Sequence, residues 1–157
     1  MATKTNAVRL VRQAGFSCTE ALYEYCEKDL SGLHVAECIG LPCEQVFKTL
    51  VARGGRTGIN VFCIPVCCEL DLKLAAKAAG DKNMELIPVK DLLSTTGYIR
   101  GGCSPIGMKK QYPTFIDETC QLHTEIAVSA GERGHQMILP VEAIIAITEA
   151  KLVDIIK

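Results

Sequence analysis

Between Gly97 and Lys110 the chain reads G-Y-I-R-G-G-C-S-P-I-G-M-K-K, a stretch without helix or strand periodicity that cannot be buried as a regular element. Glycine tolerates positive φ and lets another group approach the backbone closely. Adjacent Gly101 and Gly102 therefore predict a loop whose backbone N–H groups can face a ligand. Arg100, Lys109 and Lys110 place positive charge around that loop. The expectation is a pocket for a group that carries negative charge or a carbonyl oxygen.

Regular elements are expected on both sides of the loop. Thr5 or Asn6 caps a first helix that carries Val8, Leu10 and Val11 and stops near Gly15. Thr19 to Cys26 reads as a strand, Leu33 to Ile39 as a short helix, and Pro42 opens a turn at Cys43 to Val46. Two apolar β-prone runs, Phe47 to Ala52 and Ile59 to Pro65, flank R-G-G-R-T-G and predict a β-hairpin. Asp71 caps a helix to Ala79 with Leu72, Leu74, Ala75 and Ala78 inward, and Gly80 ends it. Met84 to Ile87 is a short strand, and Pro88 to Leu93 a short helix or turn. Thr114 to Ile116 and Glu125 to Ser129 read as strands. A second glycine loop follows at Ala130 to His135, then a strand edge at Gln136 to Leu139, a helix from Pro140 to Ala150 and a closing strand at Leu152 to Ile156. There is no repeat and no low-complexity linker. The expected fold is one mixed α/β domain, residues 1–157, with a curved, barrel-like sheet surrounded by helices.

Charge narrows the function. With 17 basic and 18 acidic side chains the net charge is −1, unlike a protein that grips nucleic acid through overall basicity. RNA contact would have to use a local basic patch or one small end of the RNA. The opening M-A-T-K-T-N-A has no apolar core of a secretion signal, and no apolar run nears the ~20 residues of a membrane span. A cytoplasmic protein without a membrane partner is expected. Its nine cysteines, an odd number with no CxxC pair, read as reduced thiols.

Several residues could carry chemistry. Lys48 interrupts an apolar strand at F-K-T-L, so its ammonium either snorkels to solvent or sits in a pocket beside an anion. Thr49 is its neighbour on the opposite strand face. Ser129 ends an apolar strand, but His34, His123 and His135 form no triad pattern with it, which favours hydrogen bonding over nucleophilic attack. Ser104 precedes Pro105 and shapes a turn. Cys103 has basic neighbours that could lower its thiol pKa, yet reads better as a small loop residue. Asp117 and Glu118 read as a solvated strand edge. Cys63, Cys67, Cys68 and the pair Cys120 and His123 lack the doubled C-x(2–4)-C ligand spacing of structural zinc, so no metal or cofactor is expected. Arg53, Arg56, Arg100, Lys109, Lys110 and Arg133 build a phosphate rim if their loops converge.

The run G-Y-I-R-G-G-C-S-P-I-G, with V-F-K-T-L at Val46 to Leu50 and V-S-A-G-E-R-G at Val128 to Gly134, resembles the YbaK-type aminoacyl-tRNA deacylases. These share a fold with the editing domain of bacterial prolyl-tRNA synthetases, and the resemblance covers nearly the whole chain in order. It implies that Lys48 and Thr49 lie in the active pocket, with the Gly101–Gly102 loop and the Ser129 to Gly131 segment opposite. Lys48 would bind the 3′ end of a charged tRNA or stabilise charge on the ester. Glycine-loop N–H groups, Gly101 and Gly102 among them, would hold the carbonyl oxygen. Ser129 would hold the aminoacyl group or terminal adenosine, while Arg100, Ser104, Gly131 and Arg133 would complete the substrate site. An aromatic residue of the first strand also lines the family pocket. Both Tyr23 and Tyr25 qualify, and the family's histidine two positions before its tyrosine favours Tyr25.

The resemblance further implies removal of cysteine from tRNA(Pro) and from Cys-tRNA(Cys), with the substrate thiol attacking its own ester. Prolyl-tRNA synthetase would be the recruiting partner. Alternatives on the same residues are an Ala-tRNA(Pro) deacylase, a non-catalytic tRNA- or synthetase-binding module, and a thiol-dependent redox protein.

Overall fold

The computed structural model describes residues 5–157; the first residues, read above for a secretion signal, lie outside the described ones. Helix α1 (Asn6–Gln13) starts where the Thr5 hydroxyl accepts the Val8 N–H at 3.2 Å, and it buries Ala7, Val8 and Val11. Strand β1 (Thr19–Leu22) is shorter than expected. It pairs with β7 (His135–Pro140) from Thr19–Ile138 to Leu22–His135 and runs out of partner where β7 begins. Helix α2 (Gly32–Ile39) is capped by Ser31 and ends on Gly40. A 3-10 turn, Cys43–Gln45, leads into the hairpin β2 (Phe47–Gly54) and β3 (Gly58–Pro65), paired in register along their full length.

Helix α3 (Leu72–Ala79) is capped by Asp71, whose Oδ1 accepts the Lys73 and Leu74 N–H groups at 2.9 and 3.0 Å. It buries Ala75 and Ala76, while Leu72, expected inward, is 39% exposed. After β4 (Glu85–Leu86), helix α4 (Val89–Thr96) runs a turn beyond the expected end at Leu93, stopping on Gly97 in the left-handed region. Then come β5 (Thr114–Asp117), β6 (Glu125–Glu132), β7, α5 (Val141–Thr148) and β8 (Lys151–Val153).

The mixed α/β architecture is as expected, but the strands form two sheets and not a closed barrel. One has the order β1-β7-β6, the other β4-β2-β3-β5-β8. They meet at a single parallel bridge between Val46 and Ala127. One core lies between the smaller sheet, α1 and α5, with Val8, Val11, Ile126, Met137 and Ile144. A second lies under α3, where the Phe62 and Phe115 rings stack with centroids 5.3 Å apart. Burial of this apolar surface is the main favourable term in folding.

Two segments differ from their reading. The A-G-E-R-G-H run is mostly strand, because β6 continues to Glu132 across a register shift and only Arg133–Gly134 turns. It leads into β7, which is the central strand of its sheet and not an edge. Asp117, read as solvated, is fully buried while Glu118 is exposed. The Asp117 carboxylate accepts from the Thr119 N–H and hydroxyl at 3.1 and 2.7 Å and from the Ile155 N–H at 3.1 Å. Those bonds offset its desolvation.

Candidate active site

Strand β2 has β3 on one side throughout, but on its other side it meets β4 only at Ala52 and Arg53. The Val46 bridge closes that outer edge at one end, and the Ile87 N–H, bonded to the Val51 carbonyl at 3.0 Å, closes it at the other. Between these ties a cavity of about 560 Å³ opens over Lys48, Thr49 and Leu50. Its far wall is the glycine loop at Arg100, Gly101 and Cys103, with Ser129 of β6 and Gln136 of β7 at its side. Leu33 of α2, Leu86, and Val89 and Leu92 of α4 make the rest of the wall apolar.

The fold therefore brings Lys48, Thr49, Arg100, Gly101 and Ser129 to one cavity. The half-buried Lys48 side chain has no ion-pair or hydrogen-bond partner among the described residues. An ammonium against apolar walls, with no carboxylate to neutralise it, attracts an anion or a developing negative charge. Thr49 sits across from buried Cys63, with Oγ1 3.9 Å from its Sγ.

The loop's two glycines do different things. Gly101 has φ +86°, a left-handed conformation that side chains disfavour, and its N–H has no internal acceptor among the described residues. The Gly102 N–H instead donates to the Ile99 carbonyl at 3.0 Å. Gly102 is needed for closeness: a Cβ there would lie 3.0 Å from the Glu132 Cα. Of the two glycine N–H groups, that of Gly101 is the one without an acceptor among the described residues. The Arg133 Nε holds the loop from outside, donating to the Arg100 carbonyl at 2.8 Å.

The remaining expected residues stand off the cavity. Ser104 is fully buried, with its hydroxyl accepting the Ile106 N–H at 3.2 Å. The Gly131 N–H donates to the Ser129 Oγ at 3.2 Å, which fixes that hydroxyl from behind and leaves its proton available. Tyr25 is 44% exposed and lies against Gly134. Tyr23 is half-buried beside Gln136, and burial pushes its phenol upward against the opposing Gly134 backbone and Gln136 side chain.

Gln136 escapes the sequence reading. It pairs with Ser129 across the β6–β7 ladder, so both side chains leave the sheet on the same face, toward the cavity. The residue is 5% exposed, and its Oε1 has no hydrogen-bond partner among the described residues. A buried acceptor left unpaired beside a cavity is an exception that calls for a partner. The available signal is an amide inside the apolar alternation of β7.

Neither candidate nucleophile is activated. Burial pushes the Cys103 thiol up to about 12, against a lowering hydrogen bond from Thr96. The only hydrogen-bond partner of the Ser129 hydroxyl among the described residues is Gly131. His135, fully buried, has each ring nitrogen 2.9 Å from a carboxylate oxygen, of Glu132 and of Glu20. It fastens β1 to the β6–β7 turn and serves no serine.

The model of the aminoacyl-tRNA editing domain matches residues 33–147. The chain belongs to that family. It is 49% identical over 152 residues, 97% of this chain and 93% of the other, to an Enterococcus faecalis protein named Cys-tRNA(Pro)/Cys-tRNA(Cys) deacylase EbsC. The fold is also that of a solved structure described as a trans-editing enzyme for prolyl tRNA synthetase, with a TM-score of 0.81 and 20% identity over 96% of this chain and 92% of that one. The hypothetical protein APE2540 has a TM-score of 0.85 at 16% identity, covering 95% and 97%. Apart from Leu30, Ser31 and Gly32, the residues lining the cavity fall within the matched span.

Proposed function

We propose that this chain is a trans-editing deacylase that removes cysteine from mischarged tRNA(Pro), and from Cys-tRNA(Cys), using the substrate thiol as nucleophile. The observation that carries this reading is a cavity with an unpaired cation and an oxyanion donor but no activated nucleophile of its own. The relative at 49% identity, whose name specifies Cys-tRNA(Pro) and Cys-tRNA(Cys), supports the substrate.

In this reading the aminoacyl ester enters with its carbonyl oxygen toward the Gly101 N–H and its ribose end toward Lys48. The cysteine sulfur forms a bond to its own carbonyl carbon, and the C–O bond to the tRNA 3′ end breaks. The thiol proton passes to the departing ribose oxygen, and water opens the resulting thiolactone. Gln136 Oε1 accepts a hydrogen bond from the α-ammonium, and Ser129 steadies the terminal ribose. Thiol dependence selects cysteine by reactivity. A small apolar pocket alone would separate amino acids differing by a methylene by only about 1–3 kcal/mol.

Recruitment by prolyl-tRNA synthetase in the cytoplasm fits the net charge of −1, which leaves little long-range attraction for RNA. Among the described residues no helix is long and apolar enough to cross a membrane.

The test is deacylation of Cys-tRNA(Pro) and Ala-tRNA(Pro) in parallel by wild type and Lys48→Ala. Loss of cysteine alone, slowed by roughly 10²–10³ in the variant, is expected. Release of alanine in preference to cysteine would remove the thiol mechanism and keep the pocket. Release of neither would leave a binding module.

A further inference from the structure

At the outer ends of β2 and β3 two turns bring together side chains that the cavity does not use. The Cys43 Sγ, a Glu44 carboxylate oxygen and the Cys67 Sγ all lie within 4.8 Å of one another. Cys43 and Glu44 belong to the 3-10 turn before β2, and Cys67 follows β3. Glu44 and Cys67 are exposed and Cys43 is half-buried, so an ion can reach the group from solvent.

The two turns that carry the group are tied by backbone hydrogen bonds. The Gln45 N–H bonds to the Pro42 carbonyl at 3.0 Å, and the Cys68 N–H to the Pro65 carbonyl at 3.0 Å. The Val66 N–H joins the two turns through the Val46 carbonyl at 2.8 Å. Two thiolates on a tetrahedral zinc at about 2.3 Å stand roughly 3.8 Å apart, within a small side-chain rotation of the present spacing. Two sulfurs and one carboxylate suit a borderline-soft cation, whereas magnesium and calcium take all-oxygen shells.

We propose that Cys43, Glu44 and Cys67 form a binding site for a thiophilic divalent cation of the zinc class, with water completing the tetrahedron. A thiol pair alone could equally close a disulfide; the Glu44 carboxylate beside it adds a third donor that an ion can use. The neighbouring Cys67 thiol, followed by burial, pushes the Cys43 thiol up to about 11. A cation reverses that influence, because binding requires deprotonated sulfur and stabilises it. An ion there would clamp together the segments that deliver Val46, Phe47 and Val66 to the cavity wall, without touching substrate.

The full chain, reduced and stripped of metal, is titrated with Co²⁺. Expected are a thiolate-to-cobalt charge-transfer absorption and the visible bands of a tetrahedral ion, saturating at one equivalent and bleached by Zn²⁺. Cys43→Ser and Cys67→Ser each lose the charge-transfer intensity of a two-thiolate site, and Glu44→Gln moves the midpoint to higher Co²⁺. Without any variant, Zn²⁺ should protect Cys43 and Cys67 from alkylation, mapped by mass spectrometry, while exposed Cys26 and Cys38 stay reactive. Three results would overturn the site: no charge-transfer band, protection falling on Cys38 beside His34, or a Cys43–Cys67 disulfide as the sole response.

Discussion

Two loops of this molecule look alike in sequence and do opposite work. R-G-G-R-T-G joins β2 to β3, and I-R-G-G-C-S-P-I-G follows α4; both are basic and rich in glycine. In the first, the Asp81 Oδ2 accepts the Arg56 N–H at 3.0 Å, the Thr57 N–H at 2.8 Å and the Thr57 hydroxyl at 2.8 Å. The Gly55 N–H goes to the Asn83 Oδ1 at 2.8 Å. The N–H groups of Gly55, Arg56 and Thr57 are thus committed to one carboxylate and one amide, so a turn that could have bound an anion already contains one. Among the described residues no carboxylate accepts from the N–H groups of the second loop. Gly102 sits against the backbone of Glu132, Arg133 grips the loop from outside, and Gly101, whose N–H has no acceptor among the described residues, lines the cavity. A pair of glycines beside arginine becomes a ligand site only where the fold withholds a partner of its own.

The sharpest way to break this comparison is to add one methyl group to each loop. Gly102→Ala puts a Cβ 3.0 Å from the Glu132 Cα, which cannot move without β6. The displaced loop should cost deacylation about 100-fold, the scale of a small misplacement at a reacting centre. Gly55→Ala meets only the Asn83 side-chain oxygen, also at 3.0 Å, and should leave the rate within about twofold, since a flexible side chain yields to such crowding. Equal losses in both variants would sink the distinction.

Arg133→Ala frees the Arg100 carbonyl and should raise KM by roughly three- to tenfold with kcat less affected, as expected for one charge-assisted hydrogen bond that is partly exposed. Asp81→Ala should act on stability and not on chemistry, lowering Tm while the deacylation rate well below Tm stays unchanged. The Thr57 backbone N–H, aided by the Thr57 hydroxyl and the Arg56 and Asn83 N–H groups, holds the Asp81 carboxyl well below the usual carboxylate range. Its contribution is therefore complete above the unfolded value of about 3.9 and is lost as pH falls through the folded value. The Tm gap between wild type and Asp81→Ala should be constant near neutrality and close only below about pH 4. The smallest effect is expected at Cys103. With its thiol pushed up to about 12, brief alkylation of the native protein should leave it unlabelled and the deacylation rate intact. Rapid labelling with loss of activity would instead favour an enzyme thiol as nucleophile.

What could be read along the chain was whatever its own neighbours decide. The caps at Thr5 and Asp71, the glycine stop at Gly80 and the turn between Phe47–Ala52 and Ile59–Pro65 depend on contacts within a few residues. The linear motifs carried the family as well, and with it the placing of Lys48, Thr49, Gly101 and Ser129 on one pocket. Long-range partners decided the rest. Asp117 is buried because Ile155 returns to satisfy it, and Leu72, in the first turn of α3, stays 39% exposed although Ala76 one turn on is buried. β1 stops where β7 offers no further partner, which leaves Tyr23 beside Gln136 and Tyr25 near solvent. Gln136 matters because the β6–β7 register sets it beside Ser129 with an acceptor unpaired. Cys43 and Cys67, far apart in the chain, face each other because the hairpin brings both its ends to one place. Local hydrogen bonding writes itself into sequence, whereas the environment of a buried polar atom or a thiol is set by whichever strand arrives next to it.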